Sequence, residues 1–129
     1  MKNLLIDTNI FLEILLDQEK KEQCKSFLVK NIGWLSLSDF SLHSIGVILL
    51  RNKKEKVFVK FINDILPDIS IISLSKKKYK DVANISVKYN LDFDDSYQTC
   101  ISIDKNFEIV TMDKDFKRVE EILNVRFLK

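Results

Sequence analysis

The sequence predicts an α/β protein with a parallel sheet covered by helices on both faces. Two observations carry this. Short runs rich in Leu and Ile alternate along the chain with stretches whose apolar residues recur at helical spacing, the order that βαβ units produce. The runs themselves read as buried strands, as expected of a parallel sheet with both faces covered. With 129 residues and 46% hydrophobic content, the chain has the size of one ordinary domain around one substantial core. No repeat, linker or low-complexity segment divides it, so a single domain over residues 1–129 is expected.

In chain order, Leu4 to Ile6 reads as the first strand, and Thr8 or Asn9 is placed to cap a first helix from about Thr8 to Leu16. Glu19 to Lys30 sets Cys24, Phe27 and Leu28 on one face among charges, as an amphipathic helix does, and Asn31 and Gly33 stop it. Trp34 to Leu37 reads as the second strand, after which Ser38 or Asp39 caps a third helix to about Leu50. Residues 51–56, RNKKEK, read as a polar turn. Val57, Phe58, Phe61, Ile62, Ile65 and Leu66 then recur at helical spacing, and Pro67 closes that helix.

Ile69 to Leu74 is rich in isoleucine and reads as the third strand. Lys76 to Tyr89 places Tyr79, Val82, Ala83, Ser86 and Val87 on a helical face, and Asn90 ends it. Asp92 caps the next helix, with an expected inner face of Tyr97, Cys100, Ile101 and Ile103 or Asp104. Glu108 to Thr111 is the fourth strand, Met112 to Phe116 a polar turn, Arg118 to Leu123 a short helix and Val125 to Leu128 a fifth strand.

Composition narrows the chemistry. A formal charge of +2 with 31% charged residues gives a mixed surface, so any nucleic-acid contact is local and not that of a broad polycation. Cys24 and Cys100 fall outside CxxC or CxxH spacing and read as buried free thiols. Neither a membrane span nor a signal peptide is expected, which points to the cytoplasm. With only Gly33 and Gly46 there is no phosphate-binding glycine loop. The one histidine, His43, has no GxSxG companion and reads as structural. The lysines at 76–78 and 80, with Tyr79 among them, either track a phosphate backbone or form a solvated helix face.

Carboxylates are the remaining resource, and they sit at corresponding places. Asp7 follows strand 1, Asp94 and Asp95 open a helix, and Asp113 and Asp115 follow strand 4. Each has a plain alternative: Asp7 as a helix cap, Asp94 and Asp95 as dipole-favoured acids, Asp113 and Asp115 as turn residues. If strands 1 and 4 are neighbours where the strand order reverses, all three groups converge on one notch. Such a cluster repels itself unless a hard divalent cation, magnesium or manganese, holds it.

LLIDTNIFL at 4–12, DFDDSYQ at 92–98 and IVTMDKDF at 109–116 resemble, in order and spacing, the three acidic motifs of the PIN-domain family, especially the small VapC-type toxins. The resemblance implies a three-layer α/β/α sandwich with strand order 3-2-1-4-5 and a magnesium- or manganese-dependent ribonuclease site. It further implies an RNA substrate, a possible cognate antitoxin and a possible homodimer, for which the apolar helix at 57–66 offers surface. By position Asp7, Asp95 and Asp113 match the metal-binding acids, Asn9 and Thr111 the supporting polar residues, and Asp94 and Asp115 stand as additional acids. One element departs from the pattern. The family's glutamate in the helix after strand 2 is absent from SDFSLHSIGVIL at 38–49, where Ser44, or as the second choice His43, occupies its slot and Asp39 is the only nearby acid. The alternative reading is therefore a PIN-fold binding or regulatory protein with weakened catalysis.

Overall fold

The computed structural model describes residues 3–129. Five strands, β1 (Leu4–Ile6), β2 (Leu35–Ser38), β3 (Ser70–Ile72), β4 (Glu108–Thr111) and β5 (Val125–Phe127), form one sheet in the order 3-2-1-4-5. Every pairing is parallel. Six helices connect them: α1 (Thr8–Leu15), α2 (Lys21–Lys30), α3 (Asp39–Arg51), α4 (Glu55–Asp64), α5 (Tyr79–Tyr89) and α6 (Phe93–Lys105). The chain leaves β1 towards β2 on one side and comes back to β4 on the other. The strand order thus reverses between β1 and β4, where Leu5 lies opposite Ile109 and Ile6 opposite Val110.

The period-2 alternation of the central strands divides the core into two layers. Leu4, Ile6, Leu35, Leu37 and Val110 face Ile10, Phe11, Cys24, Ile45, Leu49 and Phe61 of the first four helices. Leu5 and Ile109 face Val82, Tyr97, Ile101 and Phe116 on the other side. Leu5 and Ile6 are wholly buried, so truncating either to Ala removes about 2–5 kcal/mol of stability.

Local signals explain most boundaries. Ser38 caps α3, its Oγ accepting from Ser41 N at 2.9 Å, and Asp92 caps α6 by accepting from Asp95 N at 3.0 Å. Asn90 and Asn106, at φ 55° and 58°, close α5 and α6 in the left-handed conformation that asparagine tolerates. Gly46 lets α3 and α4 approach closely, because a Cβ there would stand 3.1 Å from Phe58 Cζ.

Several sequence expectations are corrected. Asp7, not Thr8 or Asn9, occupies the cap position of α1, without a side-chain cap bond. The stretch RNKKEK is not all turn: α3 runs through Arg51 and α4 already begins at Glu55. α5 is rotated from its expected face, burying Val82 and partly burying Ile85, Ser86 and Tyr89, while Ala83 is exposed and Val87 is 86% exposed. The i, i+3, i+4, i+7 stripe from Val82 describes it better than the one drawn from Tyr79. Ile103 and Asp104 also face outward. The short helix expected at Arg118 to Leu123 is instead a 3-10 turn at Lys114–Val119, started by the Asp113 side chain accepting from Asp115 N at 2.9 Å. In α4, Phe61 packs edge-on to Phe11 at 5.5 Å, so the most apolar residue of that face lies inside the core.

Candidate active site

The carboxyl ends of β1 and β4 and the first turn of α6 meet where the strand order reverses, and the acids meet with them. Asp7 is 2% exposed. Its Oδ1 accepts from Gln98 Nε2 at 3.0 Å and its Oδ2 from Thr111 Oγ1 at 2.7 Å. The carboxylate is therefore not occupied in capping α1; it is held by two donors from α6 and β4. Thr111 Oγ1 also accepts from Asp113 N at 2.9 Å, which ties the third acidic segment to the first. Gln98 Nε2 reaches Asp94 Oδ1 as well, at 3.4 Å, so one amide nitrogen links two carboxylates.

Asp95, Asp113 and Asp115 each present a carboxylate oxygen, and these three oxygens lie within 4.8 Å of one another. Asp95 is buried and Asp113 half-buried, while Asp115 also reaches Arg118 Nη2 at 3.3 Å. The structure thus joins the expected Asp95 and Asp113 with Asp115, and puts Asp7 and Asp94 beside them through Gln98. Asn9 is exposed and shares a cavity of about 410 Å³ with Asp113 and Glu13. Ser44 is half-buried, in a second cavity with Asp39 and His43. Asp39 does not cap α3; its Oδ1 accepts from the Tyr97 hydroxyl at 2.8 Å and from Phe40 N.

Burial and mutual repulsion oppose ionisation throughout the group. Desolvation pushes Asp95 up to about 8, with Asp92, Asp7, Asp113 and Asp94 adding to the rise. Desolvation also lifts Asp94 to about 6, with Asp7 and Asp92 contributing and the Gln98 amide pulling the other way. Asp7 is raised by burial against the opposing pull of Gln98 and Thr111. No lysine or arginine is ion-paired to Asp7, Asp94, Asp95 or Asp113 among the described residues. A set of convergent oxygen donors with no thiol or imidazole, and with excess negative charge, suits a hard divalent cation.

The sequence reading missed Gln98. It stands four residues after Asp94 on one helix face, but nothing in the sequence marks it as buried, and in the fold it is fully buried where a surface glutamine would be solvated. The amide has another unusual feature, for its Oε1 is buried without a hydrogen-bond partner. A buried hydroxyl chain was also unforeseen. Thr8 Oγ1 donates to Ser41 Oγ at 2.8 Å, and Ser38 Oγ lies 3.0 Å from the same atom, joining the ends of β1 and β2 under the notch.

Residues 4–122 match the family model of the PIN domain. Among solved structures, the fold is similar to VapC20 of Mycobacterium tuberculosis, a sarcin-ricin loop cleaving toxin, with TM-score 0.78, 13% identity and coverage of 89% of this chain and 93% of that one. It is similar to VapBC2 from Rickettsia felis bound to a promoter DNA fragment, with TM-score 0.75, 20% identity and 98% of each chain covered. A third likeness is FitAcB from Neisseria gonorrhoeae, with TM-score 0.70, 22% identity and coverage of 95% and 96%. No curated protein sequence matches the chain.

Proposed function

The chain belongs to the PIN-domain family, and on that premise we propose that it is a single-domain, metal-dependent endoribonuclease of VapC toxin type. The observation that carries the reading is the meeting of Asp95, Asp113 and Asp115 oxygens within 4.8 Å beside a buried, doubly hydrogen-bonded Asp7. In this reading Asp7, Asp95 and Asp113 hold magnesium or manganese, Asp115 completes the set and Asp94 acts from an outer position. When bound, the cation activates a water and neutralises charge on the phosphodiester oxygens. Thr111 and Gln98 keep Asp7 ionisable and fix its orientation by donating to both of its oxygens. The buried floor formed by Ile6 and Val110 lowers the local dielectric and excludes bulk water from beneath the acids.

The partners follow from the same reading. RNA is the substrate, an antitoxin is the regulator, and a homodimer is the assembly; the toxin-antitoxin complexes among the structural likenesses support the second. Among the described residues no helix is long and apolar enough to cross a membrane, and the proposed setting is the cytoplasm.

One observation favours the second reading, a PIN-fold binding protein with weakened catalysis. Ser44, in the slot of the family's glutamate, offers no carboxylate and lines a cavity with Asp39 and His43. The deciding measurement is cleavage of a mixed single-stranded RNA with manganese, with magnesium and with chelator. Metal-dependent cleavage that Asp95→Asn removes is expected. Absence of cleavage by both the wild type and Ser44→Glu, in the presence of either metal, would replace the enzyme with the binder.

A further inference from the structure

Next to the acids lies a feature that metal binding does not explain. A cavity of about 410 Å³ opens between α3 and the α5–α6 pair, lined by Asp39, Phe40, His43, Ile48, Tyr79 and Tyr97 among others. Its aromatic lining, Phe40, Tyr79 and Tyr97, continues into a ladder that Phe93 extends. Phe93 stacks on Tyr97 with ring centroids 5.9 Å apart and planes inclined by 15°, Phe40 lies 5.6 Å from Phe93, and Tyr79 lies 5.7 Å from Tyr97. Tyr97 is the fixed rung: it is 2% exposed, donates to Asp39 Oδ1 at 2.8 Å and accepts from Leu74 N at 3.0 Å. Phe93 and Tyr79, by contrast, remain 49% and 45% exposed.

From these observations we infer that the cavity is a nucleobase subsite, taking an unpaired base that flanks the phosphodiester bound at the acids. The inference rests on the nuclease reading and names its substrate class as single-stranded RNA. Position is the first argument. Phe93 and Tyr97 bracket Asp94 and Asp95 on one turn of α6, and Ile48 lines both this cavity and the one containing Asp113. A nucleotide whose phosphate lies at the acids therefore has its neighbouring base over the aromatic ladder.

Chemistry is the second argument. Exposed aromatic faces bind any base by stacking, but only when that base is free of a duplex stack. Both recorded bonds to Asp39 fall on Oδ1, leaving Oδ2 to accept from an amino group on the base edge. Cytosine presents such a group where uracil presents a carbonyl. Charge is the third argument. Lys76 and Lys77 are exposed, make no ion pair among the described residues and stand in the turn just before Tyr79 of the lining, offering cations to a backbone phosphate. A second protein copy would gain little from a concavity with a carboxylate in its wall and free ammonium groups in the turn before it.

The test is fluorescence anisotropy of fluorescein-labelled tetracytidylate and tetrauridylate on the full chain, with calcium replacing magnesium so that binding is read apart from cleavage. A duplex of the same length is the control. Tetracytidylate is expected to bind several-fold more tightly than tetrauridylate, and the duplex weakly. Tyr79→Ala and Phe93→Ala are expected to weaken single-strand binding about tenfold each, while Tyr79→Phe keeps it. Asp39→Asn is expected to erase the preference for cytidine. Unchanged affinity in both aromatic variants overturns the subsite, as does loss of a dimer in sedimentation with RNA affinity intact, which would assign the face to a second copy. Cleavage that persists without any dependence on these aromatics leaves the nuclease standing and removes only the subsite. Binding that follows them without cleavage in magnesium does the reverse.

Discussion

The two ends of α6 treat the same residue type in opposite ways. At its last turn Asp104 accepts from Lys78 Nζ at 2.8 Å, with Lys105 at 3.9 Å, and its carboxyl is held below the usual range by that lysine. At its first turn Asp94 and Asp95 have no lysine or arginine among the described ion pairs and are pushed up to about 6 and about 8, mainly by burial. One helix thus carries a neutralised acid at its rim and un-neutralised acids in its notch. Only the second arrangement stores unfavourable electrostatics that an incoming cation can relieve.

The sharpest way to break the contrast is Asp95→Asn. Magnesium or manganese at millimolar concentration is expected to raise the melting temperature of the wild type and to have little effect on the variant. Above pH 8, where Asp95 is ionised, the metal-free variant is expected to melt higher than the metal-free wild type by about 5 °C, since a repelling buried charge is gone. Differential scanning calorimetry with and without chelator reads both.

Gln98→Leu comes next. It removes a donor from Asp7 and Asp94 without adding charge, leaving a buried carboxylate oxygen unpartnered. A loss of about 1–3 kcal/mol in urea unfolding is expected, with metal affinity weaker by about 10- to 100-fold in calorimetric titration. A Gln98→Leu protein with unaltered metal affinity would show that the amide merely fills space.

The pH response should also differ between the two ends. Asp95 has a folded value near 8 against an ordinary 3.8, so between those limits the folded state binds a proton that the unfolded state has lost. Stability of the metal-free protein therefore falls as pH rises from about 4 to about 8, and Asp94 contributes over the lower part of that window. Asp104, with its value lowered, contributes stability above the ordinary carboxylate range and loses it as pH falls below. Urea midpoints across pH 4–9 with chelator present read the sum, and Asp95→Asn should flatten the upper limb.

Lys78→Ala is the smallest expected change. It opens a partly exposed pair on the surface, and the melting temperature should move by less than about 2 °C.

Acid placement was legible because it depends on short, strongly typed signals, the apolar runs of β1 and β4 with an aspartate after each, whereas the strand order follows from the resemblance of the three acidic motifs. Asp7, Asp95 and Asp113 could be placed from their strands and helix alone. Gln98 could not, since a polar residue in an amphipathic stretch is ordinarily read as solvated, and only the packing of α6 against β1 and β4 turns it inward. The face of α5 was misread for a related reason. Tyr79 and Val87 look apolar in the sequence, yet Tyr79 belongs to the cavity wall and Val87 to the surface.

The hydrogen bond between Thr111 and Asp7 joins residues 104 positions apart, across the two central strands of the sheet. On the ribosome the first acidic segment waits until β4 has been made before its supporting donor exists. High sequence separation of this kind slows folding, and here it also sets its timing. No nascent fragment that ends before β4 can assemble the notch, so whatever the acids hold is held only once β4 has been made.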